Sequence, residues 1–312
     1  MDSRKTDTNP GYPDSAVVGS SARQVGLIAS PSKHKGPDRS VDPKDKQKVR
    51  PAPLAKKVAV DGMLACRFEM KYLVTEAEAA AITHYVRLFL QPDRYSKLQR
   101  GGMYPIVSLY LDSPDLQLCR ESLTGLRNRF KLRIRSYTDE PDYPRFFEIK
   151  RRINRVILKS RARVMDRDVA SLLMGRSLPP QGFTTDMEAL NQFQLYTATI
   201  HAGPMILIRY MRQAFESTSE NRVRVTFDRE LCYKVSSEPY VRLGGSGWQH
   251  NHLTRGNAIL EIKFTGCYPS WLTRLVRHFN LEARSISKFA TSMEQASQLG
   301  FCGPALRTTW YG

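Results

Sequence analysis

Six segments of the sequence alternate apolar residues with charged residues, and the charged residues are mostly cationic. In KLRIR, for example, Lys131, Arg133 and Arg135 fall on one face of a strand. Leu132 and Ile134 fall on the other face. The other segments are RFEMKY, FFEIKRR, VILKSR, RVRVTFD and LEIKF. A sheet built from these strands has one apolar face and one face on which Lys and Arg outnumber Glu.

The cationic face limits the architectures that this sequence can form. Like charges on neighbouring strands destabilise a sheet, unless an anion fills the space between them. A closed antiparallel barrel with a polar, cationic interior and helices over its apolar outer face satisfies both faces. Arg binds phosphate oxygens with a bidentate fork and Lys adds point charges, so several such strands indicate a ligand with several phosphates. The few carboxylates on the same face predict a divalent metal that bridges carboxylate and phosphate.

The remaining patterns place helices between the strands. TEAEAAAITHYVRLFL predicts a helix with Thr75 as its N-cap and Glu78 at the capping-box spacing. YPIVSLYLD predicts a strand that ends at Asp112 in a turn. PDLQLCRESLTG predicts a short helix that ends at Gly125. SKFATSMEQASQL predicts a helix near the end of the chain.

The overall charge of +18 indicates an anionic partner, which could be nucleic acid, a polyphosphorylated molecule or an acidic membrane surface. The basic strands carry no interleaved stacking aromatics, so we expect no nucleic acid as a specific ligand. The sequence has no run of 18 apolar residues and no apolar signal at its N-terminus, which predicts a cytoplasmic protein without a membrane span. Five scattered cysteines without a CxxC motif favour reduced thiols.

Nine motifs in order carry a resemblance to a known family: RFEMKYLV, SLYLDSPDL, KLRIRSY, FFEIKRR, VILKSR, YMRQAF, RVTFD, LEIKF and SKFATS. Together they resemble the catalytic domain of the vacuolar transporter chaperone (VTC) polyphosphate polymerases, which has the triphosphate tunnel metalloenzyme fold. The resemblance implies an α+β fold in which an eight-stranded antiparallel β tunnel, or barrel, has a polar cationic interior and helices packed outside. It also implies transfer of the γ-phosphate of ATP to a growing polyphosphate chain, with Mn²⁺ or Mg²⁺ as cofactor.

The resemblance further implies roles for thirteen residues, which match the motifs one by one. Glu261 resembles the metal-binding glutamate, Tyr210 resembles a nucleotide-side contact, and Ser287 with Lys288 resembles a pair that opens the last helix. Backbone N–H groups at that helix N-terminus add to the phosphate site. The implied catalytic cations are Lys71, Arg133, Arg135, Lys150, Lys159, Arg212, Arg224 and Lys288, and the implied substrate-binding residues are Tyr210, Arg161, Lys263 and Ser287.

One departure from the wider fold family keeps alternatives open. Tunnel enzymes that hydrolyse triphosphate typically have ExExK in the first strand, where this chain has Arg67, Glu69 and Lys71. Loss of one carboxylate weakens the case for a two-metal hydrolase and is compatible with a polymerase. The alternatives are a triphosphatase or nucleoside triphosphatase of the same fold, and a non-catalytic protein that binds polyphosphate or inositol pyrophosphate. Glu261 favours an enzyme, because a pure anion binder gains nothing from a carboxylate that holds no metal.

The composition divides the chain into three parts. Residues 1–60 contain 12 Lys and Arg, 6 Asp and Glu, seven prolines and one aromatic residue, which predicts a disordered basic tail. We expect the VTC-like tunnel domain at 61–300 and a C-terminal extension at 301–312. Family members are often associated with membrane assemblies, so any recruitment of this chain to a membrane would need a membrane-protein partner.

Overall fold

The fold is built from ten antiparallel strands, of which eight form one continuous path. The computed structural model describes residues 67–154, 156–176, 184–217 and 223–300. The predicted tail at 1–60 and the predicted extension at 301–312 lie outside these residues. The strands are β1 (Arg67–Thr75), β2 (Gln91–Pro92), β3 (Tyr104–Asp112), β4 (Arg129–Ser136), β5 (Arg145–Ile153), β6 (Val156–Val164), β7 (Gly203–Glu216), β8 (Val223–Val235), β9 (Gln249–His250) and β10 (Asn257–Thr265).

The main path of the sheet runs β1-β10-β8-β7-β3-β4-β5-β6, while β2 pairs with β7 and β9 pairs with β8. Among the described residues, no backbone pairing joins the two ends of this path, β1 and β6. A side-chain contact links the two sides instead, since Lys150 Nζ of β5, the neighbour of β6, lies 3.1 Å from a carboxylate oxygen of Glu69 on β1. The sheet is therefore strongly curled, and it forms the predicted tunnel-like α+β fold.

Helices cover the apolar outer face of the curled sheet. Phe147 on β5 packs edge-to-face against Phe193, with ring centroids 4.9 Å apart. On the other side, buried Leu272 and Leu275 pack with apolar residues of β8 and β10 in a second core cluster. The helices are α1 (Glu76–Val86), α2 (Arg94–Leu98), α3 (Gln117–Leu123), α4 (Val169–Leu173), α5 (Thr184–Thr199), α6 (Ser270–His278) and α7 (Lys288–Gln298), with short 3₁₀ turns at Asp166–Asp168 and His252–Thr254.

Two helix boundaries differ from the sequence patterns. The first helix ends at Val86, four residues before the end of the predicted segment. Pro92 disfavours helical backbone at Gln91, and this pair forms β2 instead. The helix α3 begins later than predicted, and the Asp112 carboxylate accepts hydrogen bonds from backbone N–H groups of its first turn. Asp112 thus ends its strand as predicted and also caps the next helix.

The length of the described helices bears on membrane insertion. The longest of them, α5, has 16 residues. Across the part of the chain that the structure describes, no helix is both long enough and apolar enough to cross a bilayer.

The predicted capping box at the start of α1 is confirmed and can be tested by its contribution to stability. Glu78 N donates to Thr75 Oγ1 at 3.2 Å, and Thr75 N donates to Glu78 Oε2 at 2.7 Å. We expect Thr75→Ala to lower the free energy of unfolding by about 1 kcal/mol, because an N–H group of the first turn loses its acceptor. Thr75→Ser keeps the acceptor and should match the wild type. Urea unfolding measures both, and equal midpoints for all three proteins would contradict the expectation.

Candidate functional site: a cationic tunnel

The inner face of the curled sheet encloses a cavity of about 640 Å³. Its wall carries fourteen Lys and Arg side chains and three glutamates. All thirteen residues implied by the motifs line this cavity, although they come from seven different strands and one helix. They are Lys71, Arg133, Arg135, Lys150, Lys159, Arg161, Tyr210, Arg212, Arg224, Glu261, Lys263, Ser287 and Lys288.

One glutamate holds three arginines on strands β4 to β6. Glu148 Oε2 lies 2.7 Å from Arg133 Nε and 4.0 Å from Arg135 Nη1, and Glu148 Oε1 lies 3.3 Å from Arg161 Nε. Burial alone would raise the pKa of Glu148, but the three guanidinium groups lower it to about 2. Glu148 therefore stays ionised and keeps the arginines oriented toward the cavity.

A second carboxylate lies fully buried between β7 and α7. Asp228 accepts two hydrogen bonds from Arg212, at 2.6 and 2.7 Å, and its Oδ2 lies 2.6 Å from Lys288 Nζ. Burial opposes the charge of Asp228, yet Arg212 and Lys288 lower its pKa to about 2. The same pairing raises the pKa of Lys288 against the effect of its own burial. This pair fixes the start of α7 against the tunnel wall.

Two further carboxylates lie on the paired strands β1 and β10. Glu261 accepts from Lys263, with Nζ and Oε1 3.0 Å apart, and Glu69 lies 3.5 Å from Lys71 Nζ. Burial would raise the pKa of Glu261, but Lys263 and Lys71 lower it well below its usual range. Lys150 reaches Glu69 from β5, so charges from three strands meet at this point.

The N-terminus of α7 closes one end of the cavity. Ser287 is the N-cap, and its hydroxyl accepts from Ala290 N at 3.2 Å, as the motif predicted. Lys131 Nζ donates to Ser287 Oγ at 2.6 Å, and Lys71 Nζ donates to the carbonyl oxygen of Ile286 at 2.7 Å. The first turn of α7 therefore begins beside two lysines, an arrangement that suits a phosphate.

Two lysines of the tunnel are poised to change charge near neutral pH. Burial lowers the pKa of Lys131 to about 7, and the neighbouring cations Lys71 and Lys150 add to that effect. Burial and the nearby Lys263 lower the pKa of Lys159 to about 8. The wall thus carries more cationic groups than it can keep fully charged without an anion.

Two of the implied residues, Arg224 and Tyr210, make contacts that the motifs did not predict. Arg224 is bound by carboxylates, with Nη2 2.7 Å from Asp93 Oδ2 and Nη1 2.6 Å from Glu216 Oε2. Tyr210 is buried, and its hydroxyl lies 3.5 Å from Arg135 Nη2. The position of Tyr210 among cations favours a contact with phosphate over the nucleotide-side contact that the resemblance implies.

Comparison with known proteins identifies the family. The family model "VTC domain" matches residues 66–297, which include the whole tunnel. The chain belongs to the VTC domain family. The solved structures that resemble it include a candidate adenylate cyclase from Bacillus halodurans, with a TM-score of 0.39 and 15% identity over 70% of this chain and 92% of that chain. They also include the PH1819 protein of Pyrococcus horikoshii OT3, with a TM-score of 0.36 and 14% identity over 73% and 99%. No curated protein matches the sequence.

The carboxylates of this VTC domain suit a divalent metal that is shared with phosphate. No group of three His, Cys, Asp or Glu side chains able to hold a metal occurs among the described residues. Glu261 and Glu69 are close enough to interact directly. Thr226 faces Glu261 across the strand pair, and its buried hydroxyl oxygen has no hydrogen-bond partner within the described structure. Mg²⁺ is commonly held by one or two carboxylates together with substrate phosphates, and this oxygen-rich corner fits that pattern.

Several residues of the VTC tunnel were not among the implied functional residues. Lys131, Glu69 and Glu148 lie on the alternating charged faces, so the strand period was the signal that could have included them. Asp228 follows the same period in RVTFD. Tyr137 lies beyond the end of β4, where no periodic pattern indicates which way its side chain points.

Because Asp228 is buried between two cations, we expect its replacement to lower the free energy of unfolding and to change how that free energy depends on pH. Removal of its charge leaves Arg212 and Lys288 unpaired, so Asp228→Asn should lower the free energy of unfolding at pH 7 by about 3–5 kcal/mol. Because its pKa is about 2 when folded and about 3.9 when unfolded, Asp228 adds about 2–3 kcal/mol above pH 4. That contribution disappears as the pH falls from 4 to 2.

Urea unfolding at several pH values measures both effects. The variant should lose less stability than the wild type between pH 4 and pH 2. The control is Asp142→Asn, which removes an exposed carboxylate. Wild-type stability for Asp228→Asn at pH 7 would contradict the pairing.

The titrating lysines predict proton uptake when a polyanion binds. At pH 8 Lys131 is mostly neutral and Lys159 is about half charged. A bound anion raises both lysine pKa values, so the protein should take up roughly one proton when it binds tripolyphosphate at pH 8, and much less at pH 6, where both lysines are already charged. Calorimetric titrations in two buffers with different ionisation enthalpies measure this uptake.

Two lysine variants test whether Lys131 is the group that takes up most of the proton. Lys131→Arg should bind tripolyphosphate with most of the uptake removed, because Arg stays charged at pH 8. Lys97→Arg, at an exposed position on α2, should behave like the wild type. Equal heats for the wild type in both buffers at pH 8 would show that these lysines are already charged in the free protein.

Proposed function

We propose that this chain is a polyphosphate polymerase, which transfers the γ-phosphate of ATP to a growing polyphosphate chain inside the tunnel. The observation that carries the proposal is the cavity wall, where fourteen cations face three glutamates. A single phosphate needs only a few of these groups, whereas a chain of phosphates can occupy all of them. Membership of the VTC domain family supports the same substrate class.

The proposed reaction needs positioning and charge stabilisation more than a reactive side chain. The terminal oxygen of the acceptor chain attacks the γ-phosphorus, a new P–O–P bond forms, and the bond between the γ-phosphorus and the β–γ bridging oxygen breaks, which releases ADP. Arg133 and Arg135 are oriented by Glu148 to hold phosphate oxygens. Lys288 stays charged beside Asp228 and places a cation at the start of α7. These fixed charges oppose the charge that spreads over the transferring phosphoryl group.

Five of the other implied residues have supporting roles in this proposal. Lys150 and Lys159 extend the cationic wall along β5 and β6, and Arg161 and Lys263 continue it at the sides of the cavity. Glu261, with Glu69 beside it, would hold Mn²⁺ or Mg²⁺. The metal would neutralise phosphate charge and polarise the phosphoryl oxygens.

The number of carboxylates on the first strand favours the polymerase over a two-metal hydrolase. The position that is Glu in tunnel hydrolases is Arg67 here, so the first strand supplies one carboxylate to the corner at Glu261. One metal and a long cationic wall suit a phosphate acceptor that is held in place.

The proposal is tested with purified protein, ATP and Mn²⁺ or Mg²⁺, following ADP and long-chain polyphosphate on a gel. We expect polymer in proportion to ADP. Arg133→Ala should lower kcat at least about 100-fold, because it removes a fixed charge at the transferring group. Arg274→Ala, which removes an exposed arginine on α6, is the matched control and should keep full activity.

The alternatives give different results in the same assay. ADP with free phosphate and no polymer would identify a triphosphatase and overturn the proposal. No turnover, with tight and salt-sensitive binding of polyphosphate, would identify a binding protein instead. Full activity in Arg133→Ala would contradict the assigned site.

A further inference from the structure

Two of the six lysines on the tunnel wall differ from the others in their partners. The other four are ion-paired with carboxylates, at Nζ–O distances from 2.6 to 3.5 Å, and they are Lys71, Lys150, Lys263 and Lys288. Lys131 and Lys159 have no ion pair with a carboxylate among the described residues. Lys159 is exposed on β6, whereas Lys131 is half-buried. Lys131 is therefore the enclosed amine of the wall that lacks a counter-charge.

The surroundings of Lys131 favour its uncharged form. Its Nζ donates to Ser287 Oγ at 2.6 Å and lies 5.8 Å from the centroid of the Phe289 ring. Lys150 lies opposite Lys131 in the pairing of β4 with β5. Burial lowers the pKa of Lys131 to about 7, and the charges of Lys71 and Lys150 act in the same direction. A large part of Lys131 is thus a free amine at neutral pH, which is the nucleophilic form of lysine.

The cavity around Lys131 selects reagents that carry phosphate. Its volume of about 640 Å³ can hold a small phosphate compound, and the neighbouring cations bind phosphate oxygens. In an acyl phosphate, the mixed anhydride of a carboxylic acid and phosphoric acid, a single oxygen joins the carbonyl carbon to phosphorus. An acyl phosphate bound by the wall therefore holds an electrophilic carbon close to its bound phosphate.

We propose that Lys131 is an acylation site, which is modified by small acyl phosphates that bind to the cationic wall of the tunnel. The Lys131 nitrogen attacks the carbonyl carbon, an N–C amide bond forms, and the C–O bond to the phosphate breaks. The nitrogen loses a proton, and inorganic phosphate leaves with the electron pair of the broken bond. The cations of the wall stabilise the charge on the departing phosphate.

Acylation would change the binding properties of the tunnel, because an amide carries no charge. The modified side chain would lie beside Ser287, at the N-terminus of α7, where Lys131 now donates a hydrogen bond. The wall would also lose one of the two lysines that gain charge when an anion binds. The inference needs only a cavity that binds phosphate, so it does not depend on the chain being a polymerase.

The test treats the full chain with acetyl phosphate at pH 7, without nucleotide or metal. Peptide mass spectrometry follows the acetylation of Lys131 and of Lys97, an exposed lysine on α2, in the same sample. We expect Lys131 to react at least about 10-fold faster, because a lysine with the ordinary pKa of about 10.4 is almost entirely charged at this pH. Tripolyphosphate should slow the reaction of Lys131, since it fills the cavity and raises the lysine pKa, and should leave Lys97 unchanged.

A reagent without phosphate separates binding by the wall from simple reactivity. The preference for Lys131 over Lys97 should be larger with acetyl phosphate than with uncharged p-nitrophenyl acetate, because the wall concentrates only the first reagent. Lys150→Gln removes a neighbouring cation and should slow the acetylation of Lys131 by acetyl phosphate at least about threefold. Arg274→Gln, which removes an exposed cation on α6, should leave both rates unchanged. Saturable binding of tripolyphosphate shows that each variant is folded.

Three results would overturn the inference. They are equal acetylation of Lys131 and Lys97, an equal preference for Lys131 with both reagents, and acetylation of Lys131 that tripolyphosphate does not slow. An unchanged rate at Lys131 in Lys150→Gln would also contradict it. The outcome is separate from the polymerase assay, since preferential acetylation of Lys131 in a chain that makes no polymer would refute the proposed function alone.

Discussion

The crowding of like charges inside a curled sheet is the constraint on which the rest of this structure depends. Fourteen cations share one cavity of about 640 Å³, and their mutual repulsion is much larger at this depth than in water. Buried carboxylates reduce that cost at separate points. Glu148 lies among three arginines, Asp228 binds Arg212 and Lys288, and Glu261 binds Lys263. Each acid leaves a local excess of positive charge, so the fold is kept stable while the cavity still attracts anions.

A further carboxylate, Glu69, links the two sides of the curled sheet. The edge strands β1 and β6 share no backbone pairing in the described residues, and the contact between Glu69 and Lys150 joins the two sides across the cavity. The opposite faces of these strands are apolar and need covering, which α1, α5 and α6 provide. A flat sheet with the same sequence would move Glu69 away from Lys150 and lose this contact. The alternation along each strand thus determines both the tunnel and its outer layer.

Much of this arrangement could be predicted from the sequence, because a strand has a fixed period of two. That period placed Lys131, Arg133 and Arg135 on one face before their neighbours were known. The period does not show which acid lies against which cation, since that depends on how strands from distant parts of the chain are paired. Glu148 and Asp228 therefore had no assigned role. The contact between Tyr95 and Tyr137 could not be predicted for a related reason, because both residues lie outside the main strands and meet only in the folded chain.

Under the proposed function, the tunnel must hold phosphates firmly and still let the polyphosphate chain move. One deep anion site would trap its ligand, whereas several similar sites in a row allow a chain to shift from one to the next. The wall has this character, since Lys or Arg occupies every second residue from Arg129 to Arg135 on β4, and Lys159 and Arg161 keep the same spacing on β6. Lys131 and Lys159 would add a further effect, because a nearby phosphate would raise their lowered pKa values and so increase their charge. Part of the attraction would therefore exist only next to a bound phosphate. This would lower the free-energy barrier for moving the polyphosphate chain from one site to the next.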